Sequence, residues 1–172
     1  MGSLRGFKSD AWEGGHRVPF VVRWPGQVPA GSTNRQLLDL VDLMATFAAL
    51  TGAKLPANAA ENSFDRLPAF SNMDAAAIRA LAIHHSCAGY YTDWKLIPIA
   101  DTPGEERVYS ITKQPKGREI HPHPPGSPAG ELYNLALDPS QRNNLYNREP
   151  ERAYRMSRMP QEALNAPRTR TP

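Results

Sequence analysis

Two adjacent imidazoles, His84 and His85, are among the side chains of this sequence suited to acid–base work. On a strand, neighbours point to opposite faces, so only one of them can address a given site and the two cannot hold one ion. The commoner role of such a histidine is structural packing. His121-Pro122-His123 has the outline of a metal pair. It lacks evident third and fourth ligands, and Pro122, Pro124 and Pro125 favour an extended arm. The single Cys87 excludes an internal disulfide framework and any multi-cysteine zinc site. It reads as a small buried apolar residue. A last group lies at Lys8-Ser-Asp-Ala-Trp-Glu-Gly-Gly-His-Arg-Val-Pro. Taken alone, Lys8 is an ordinary surface lysine. Gly14 and Gly15 permit a tight backbone path beside it. No residue of the chain is assigned to a metal.

These residues need elements to position them. Residues 1–17 are polar and glycine-punctuated, which predicts a loop. Phe20–Trp24, within Val-Pro-Phe-Val-Val-Arg-Trp-Pro, predicts a strand buried on both faces, as in a parallel α/β sheet. Such a strand needs neighbours on both sides, and nothing earlier in these residues supplies one. Leu37, Leu40, Val41, Met44, Phe47, Ala48 and Thr51 recur at helical steps, predicting a helix over about 42–51. Asp42 is its candidate N-cap and Gly52 its stop. Residues 53–72 read as loop and Asp74–Arg79 as a helical turn or two. Arg-Ala-Leu-Ala-Ile-His-His-Ser and the aromatic, β-branched stretch from Tyr90 to Ala100 predict strands. Residues 101–130 read as a long Pro/Gly-rich loop or arm, and Gly130–Asp138 as a short strand and turn. A helix follows Pro150, with Pro160 a candidate break. Trp94-Lys95 and Glu131-Leu132-Tyr133 read as sheet packing, and the arginines from Arg152 to Arg158 as a solvated helix face.

Composition narrows the function classes. The chain has 172 residues, 40% of them hydrophobic, and 17 prolines. That is about twice the usual proline share, so long helices cannot dominate. The net charge of +3 belongs to the last 25 residues; residues 1–147 are balanced. A balanced body with an arginine-rich tail is no phosphate-binding groove, so nucleic acid is not an expected partner. No apolar run is long enough for a membrane span, and no signal peptide is visible at Met1.

The Lys8–Phe20 block, followed by Val-Val-Arg-Trp-Pro-Gly, resembles the late catalytic-domain segment of the sulfatase family, G-x-K-x-x-x-x-E-G-G-x-R-x-P and then a strand. The order continues through Gln36–Pro56, Ile83–Ser86, Asp93–Ile97 and Glu131–Leu145, which are similar to the family's strand-then-helix and C-terminal subdomain. The resemblance implies the end of an alkaline-phosphatase-like α/β/α domain, residues 1–72. It implies a small α+β subdomain over 73–160, with a short antiparallel sheet and a C-terminal helix, and a disordered tail over 161–172. It makes Lys8 the lysine that contacts the sulfate group, with Glu13, Gly14, Gly15 and Arg17 bracing the loop. His84 or His85 is then a candidate catalytic group facing the cleft. Departing from the commoner pattern, Ser9-Asp10 follows the lysine, and an acid two residues away would weaken its field.

The same resemblance implies a formylglycine nucleophile from C/S-x-P-S-R and a calcium ion held by paired carboxylates. Cys87 does not fit that motif, no serine does, and Asn134 and Asp138 do not form the metal pattern. The expectation is therefore the C-terminal portion of a sulfuric ester hydrolase of arylsulfatase type, inert by itself. Calcium is expected in the complete family enzyme only. Its substrate would be a sulfate ester, small molecule or glycan; the family allows a periplasmic or secreted compartment, which the sequence does not fix. Two alternatives stand beside it. One is a phosphomonoesterase or phosphonate hydrolase of the same superfamily. The other is a non-catalytic remnant or interaction domain that associates through an exposed sheet edge.

Overall fold

The computed structural model describes residues 2–8, 10–84, 88–91, 93–98, 112–114, 117–119, 126 and 128–166. His85, Cys87, His121 and His123 lie outside them. The chain forms two compact units. One joins Met1–Val18 to Ile83–Pro160, and the other joins Pro19–Ala82 to Gln161–Pro172.

The first unit is built on a four-stranded sheet. Its strands are β1 (Leu81–His84), β2 (Ala88–Tyr91), β3 (Trp94–Pro98) and β6 (Gly130–Asn134), in the order β1-β2-β3-β6. The stretch from Tyr90 to Ala100 is thus a hairpin rather than one strand, with Tyr91 opposite Trp94. β3 runs antiparallel to β6, Leu96 opposite Leu132 and Lys95 opposite Tyr133. Because side chains alternate, the two faces of β3 and β6 differ in chemistry. Leu96 and Leu132 face α4 (Pro150–Asn165), where Ala153 and Met156 are buried against them and Trp94 and Met159 join the cluster. Each fully buried leucine contributes about 1.5–3 kcal/mol. On the other face, Ile97 and Tyr133 pack with Ala11 and Trp12 of the N-terminal segment. The outer edge of β6 is covered: Leu145 N–H donates to Leu132 O (2.8 Å), and Asn144 Oδ1 accepts from Leu132 N–H (3.0 Å).

Three sequence expectations fail here. Residues 101–130 contain a small hairpin, β4 (Thr112–Gln114) with β5 (Gly117–Glu119), paired Lys113 to Arg118. α4 continues through Pro160 to Asn165, so 161–165 are helical rather than tail. A proline removes one N–H from the ladder, and the good helix formers Glu162, Ala163 and Leu164 carry the helix on. Residues 167–172 lie outside the described set. The expected strand at Phe20–Trp24, in the second unit, is also absent. That stretch is not paired with any described strand, and Val21 is 88% exposed. Apolar, β-branched residues favour extended backbone, but only a ladder partner makes a strand.

The second unit contains α2 (Leu43–Thr51), preceded by a 3₁₀ turn (Leu40–Asp42), and α3 (Leu67–Ser71). The helix start is a capping box over Asp39 and Asp42, one turn earlier than Asp42 alone predicts. Gly52, at φ 70°, closes the helix in the left-handed region. α3 falls in the predicted loop, whereas Asp74–Arg79 forms no helix. Pro68 sits in the first turn of α3, where its missing N–H costs nothing. The burial is inverted relative to an ordinary amphipathic helix. Ala45, Thr46 and Ala48 are buried, while Leu40, Val41, Met44, Phe47 and Leu50 are about half exposed. The unit's interior is small and ionic: Asp42, Arg66 and Arg79 are buried with Ala45, Ala48, Ala69 and Ser63.

Candidate active-site loop

The loop bearing Lys8 is pinned to the polar face of the sheet at three points. The first is Arg5. Its Nη1 donates to Tyr133 Oη (2.8 Å) and to Gln141 O (3.3 Å), and its guanidinium lies 3.9 Å over the Trp12 ring. Tyr133 Oη and Trp12 Nε1 both donate to Glu131 Oε2, each at 2.7 Å. Burial, and then the hydrogen bond to Glu131, push the Tyr133 phenol pKa well above its ordinary value. The second point is Gln141, 1% exposed, whose Oε1 accepts from Glu13 N–H at 2.6 Å. Gln141 has φ 53°, an uncommon conformation for a residue with a side chain, held by this packing.

The third point is Glu13 itself. Lys95 Nζ, fully buried on β3, donates to Glu13 Oε1 at 3.1 Å. Arg17 donates to Glu13 Oε2 from Nε at 2.8 Å. A carboxylate and an ammonium buried together are tolerable only as a well-made pair. Glu13 opens α1 (Glu13–His16), a single turn. A Cβ on Gly14 would collide with the carbonyl oxygens of Gly6 and Arg5, and one on Gly15 with that of Asp10. The close approach is used: Gly14 N–H donates to Arg5 O at 2.7 Å.

Between Arg5 and Asp10 the chain turns outward. Asp10 is 1% exposed and closes the turn: Phe7 N–H donates to its Oδ2 (2.9 Å), and its own N–H donates to Phe7 O (2.9 Å). The carboxylate expected to weaken Lys8 is therefore turned into the loop, where it bonds backbone. Lys8 is exposed and makes no hydrogen bond or ion pair with any described residue. The arrangement is an exposed ammonium on a loop whose base is held by buried hydrogen bonds and an ion pair.

His84 is half-buried at the end of β1, with its ring centroid 5.0 Å from that of His16 at the end of α1. His16 was not singled out by sequence reasoning, nor were Arg5 and Gln141. Lys95, Glu131 and Tyr133 were read as packing alone. Their only legible signal was membership of Trp-Lys-Leu-Ile and Glu-Leu-Tyr-Asn-Leu. Asn134 and Asp138 are turn residues: Asp138 Oδ2 accepts from Arg142 and Asn143 N–H groups, both at 2.8 Å. Among the described residues no group of three or more His, Cys, Asp or Glu is placed to hold a metal. A calcium cradle is thus not built from them. No helix among them is long and apolar enough to cross a membrane.

Comparison with known proteins identifies the pattern. The Sulfatase family model matches residues 1–53. The chain is 32% identical to an N-acetylgalactosamine-6-O-sulfatase of Bacteroides thetaiotaomicron, over 99% of this chain and 31% of the relative. Over 51 residues, 30% of this chain and 10% of the relative, it is 55% identical to mouse (Mus musculus) arylsulfatase G. A solved structure from work on glycosaminoglycan metabolism by Bacteroides thetaiotaomicron superposes with a TM-score of 0.74 at 30% identity, covering 96% of this chain and 33% of that one. The PsFucS1 sulfatase of a Pseudoalteromonas species shares the fold, with a TM-score of 0.71 at 21% identity over 97% of this chain and 34% of its own. The chain spans about a third of the length of the relative and the structures it matches along nearly its whole length. It is sulfatase-like in sequence and in fold, and corresponds to the C-terminal portion of that family's proteins.

Proposed function

We propose that this chain supplies the lysine loop and the C-terminal subdomain of a sulfuric ester hydrolase, with Lys8 as the group that contacts the sulfate. The observation that carries the reading is the exposed Lys8 ammonium, unpaired among the described residues, on a loop whose base is locked by Glu13, Lys95, Arg5 and Gln141. As the S–O bond of a sulfate ester breaks, negative charge grows on the sulfuryl and leaving oxygens. A positioned cation stabilises that charge, and one donor in a comparable oxyanion site is worth about 2.7–4 kcal/mol. Glu13, Gly14, Gly15 and Arg17 hold the loop's base and do not touch substrate. His84, beside His16, is the candidate acid–base group of the subdomain.

Nucleophile and calcium belong to the proposal only as parts of the complete family enzyme: C/S-x-P-S-R does not occur in these 172 residues, and the described ones place no metal-ligating group. The substrate is a sulfate ester, and the name of the Bacteroides relative makes a sulfated sugar the first to try. The outward apolar side chains of α2 fit a residue set that packs against a larger α/β body. A phosphomonoesterase reading is not favoured, since the family model and the relatives above are sulfatases.

The test joins residues 1–172 in cis to the N-terminal two thirds of the Bacteroides relative. The fusion is assayed on an aryl sulfate and on 6-sulfated N-acetylgalactosamine. The 172-residue chain alone should be inert, and the fusion active. Lys8→Ala should then lower kcat by about 100–1,000-fold. Activity that survives Lys8→Ala unchanged overturns the role of Lys8. Turnover by the chain alone overturns the need for the remainder.

A further inference from the structure

Lys95 and Tyr133 stand directly opposite each other on β3 and β6, so their side chains share the face that carries the N-terminal segment. Between them they hold both ends of the lysine turn. Lys95 takes Glu13, beyond Lys8 in the chain, and Tyr133 takes Arg5, ahead of it. Gly14 N–H ties the two ends together through Arg5 O at 2.7 Å. Lys8 thus sits on a turn whose two feet rest on one cross-strand pair.

The Tyr133 foot has a defined length. Arg5 Nη1 lies 3.6 Å from Glu131 Oε2, an ion pair too long for a hydrogen bond. The Tyr133 hydroxyl bridges the gap, accepting from Arg5 Nη1 at 2.8 Å and donating to Glu131 Oε2 at 2.7 Å. Trp12 Nε1 donates to the same carboxylate oxygen at 2.7 Å and holds Glu131 in place. Without the hydroxyl, Arg5 would close on Glu131 to an ordinary charge-assisted distance of about 2.8 Å, a shift of about 0.8 Å. The guanidinium is also stacked 3.9 Å over Trp12 and donates to Gln141 O at 3.3 Å, so its shift passes to the segment that carries the turn.

We propose that Tyr133 is a positioning residue for Lys8: its hydroxyl is the spacer that sets Arg5 above Glu131, and so the place of the Lys8 ammonium against a bound sulfate ester. The inference rests on the reading of Lys8 given above. A displacement of about 1 Å in a group that meets the transition state costs up to about 100-fold in rate. A residue that acts only through Lys8 cannot cost more than the loss of Lys8 itself.

The fusion enzyme tests this by a double-variant cycle. Tyr133→Phe should lower kcat by about 10–100-fold and leave KM within about twofold. In the Lys8→Ala background the same change should cost nothing further. Arg5→Lys, which leaves Tyr133 and Glu131 in place, should show the same dependence on Lys8 and keeps the test decisive if Tyr133→Phe does not fold. In the 172-residue chain, Tyr133→Phe should speed hydrogen exchange at the Asp10 and Gly14 amides about tenfold more than at Leu145, whose amide bonds Leu132 O. Equal acceleration at all three amides, or a kcat loss that is the same with and without Lys8, would overturn the inference and leave Tyr133 a general stabiliser. A full Lys8→Ala loss with a silent Tyr133→Phe overturns this inference alone. A silent Lys8→Ala overturns the reading of Lys8 and this inference with it.

Discussion

Replacing Lys95 by Met should destabilise the first unit without altering any exposed group. Lys95 Nζ is buried against Glu13 Oε1 at 3.1 Å, and both side chains are at most 2% exposed. Removing one partner of a buried pair costs about 3–5 kcal/mol, most of it from the charge left behind. Glu13 retains Arg17 on its other oxygen, so Lys95→Met belongs at the lower end, about 3 kcal/mol. Glu13→Gln removes the carboxylate that the buried Lys95 ammonium and Arg17 share and should cost a similar amount, about 3 kcal/mol. The double variant Glu13→Gln/Lys95→Met has no charge mismatch. It should recover about 2 kcal/mol relative to the sum of the single losses. The assay is urea unfolding of the whole chain, read by tryptophan fluorescence, since Trp12 and Trp94 flank the pair's sheet on opposite faces. A loss of about 3 kcal/mol corresponds to a fall of about 6–12 °C in the unfolding midpoint for a chain of this size. A Lys95→Met loss below about 0.5 kcal/mol, or strictly additive single variants, would refute the view that this pair anchors the lysine loop.

Other outcomes follow from the same geometry. Gly14→Ala should cost about 1–3 kcal/mol and loosen the loop, because the added methyl meets the Arg5 and Gly6 carbonyls; hydrogen exchange of the Gly14 and Asp10 amides would report it. Asp42→Asn should cost the second unit about 3–5 kcal/mol, since it leaves Arg79 and Arg66 buried without their carboxylate; a denaturation curve read at Trp24 checks this. The phenol of Tyr133 keeps its proton in the fold above the ordinary value of 10.0. The unfolded chain then holds fewer protons than the folded one above pH 10.0, so that stabilisation is complete below 10.0 and is lost as pH rises toward the raised folded value. Tyr133→Phe should flatten this part of the alkaline stability profile, and a slope equal to the unaltered protein's would count against the hydrogen-bonded phenol.

Legibility followed the range of the forces involved. Helix α2 and its glycine stop were readable because periodicity and φ preference are local. So were β1, β6 and the start of α4, each a short run bounded by turn residues. The strand expected at Phe20–Trp24 failed because a strand is a relation between two segments, and no described strand pairs with it. α3 was missed because Pro68 reads as loop punctuation unless its place in the first turn is known. Lys95 shows the same limit in a side chain. Its place on the strand reads as sheet packing, and the ion pair to Glu13, 82 positions away, has no local signal.

The residues by themselves established α2 with its glycine stop, the lysine loop with its glycine pair, and the likeness to sulfatases, since each depends on neighbours along the chain. Tertiary structure alone decided that Asp10 turns inward and that Lys8 pairs with no described residue. It alone brought Arg5, Gln141, Lys95, Glu131 and Tyr133 under the loop from up to 136 positions away. Burial and charge pairing belong to contacts between distant segments, and spacing along a chain does not encode them.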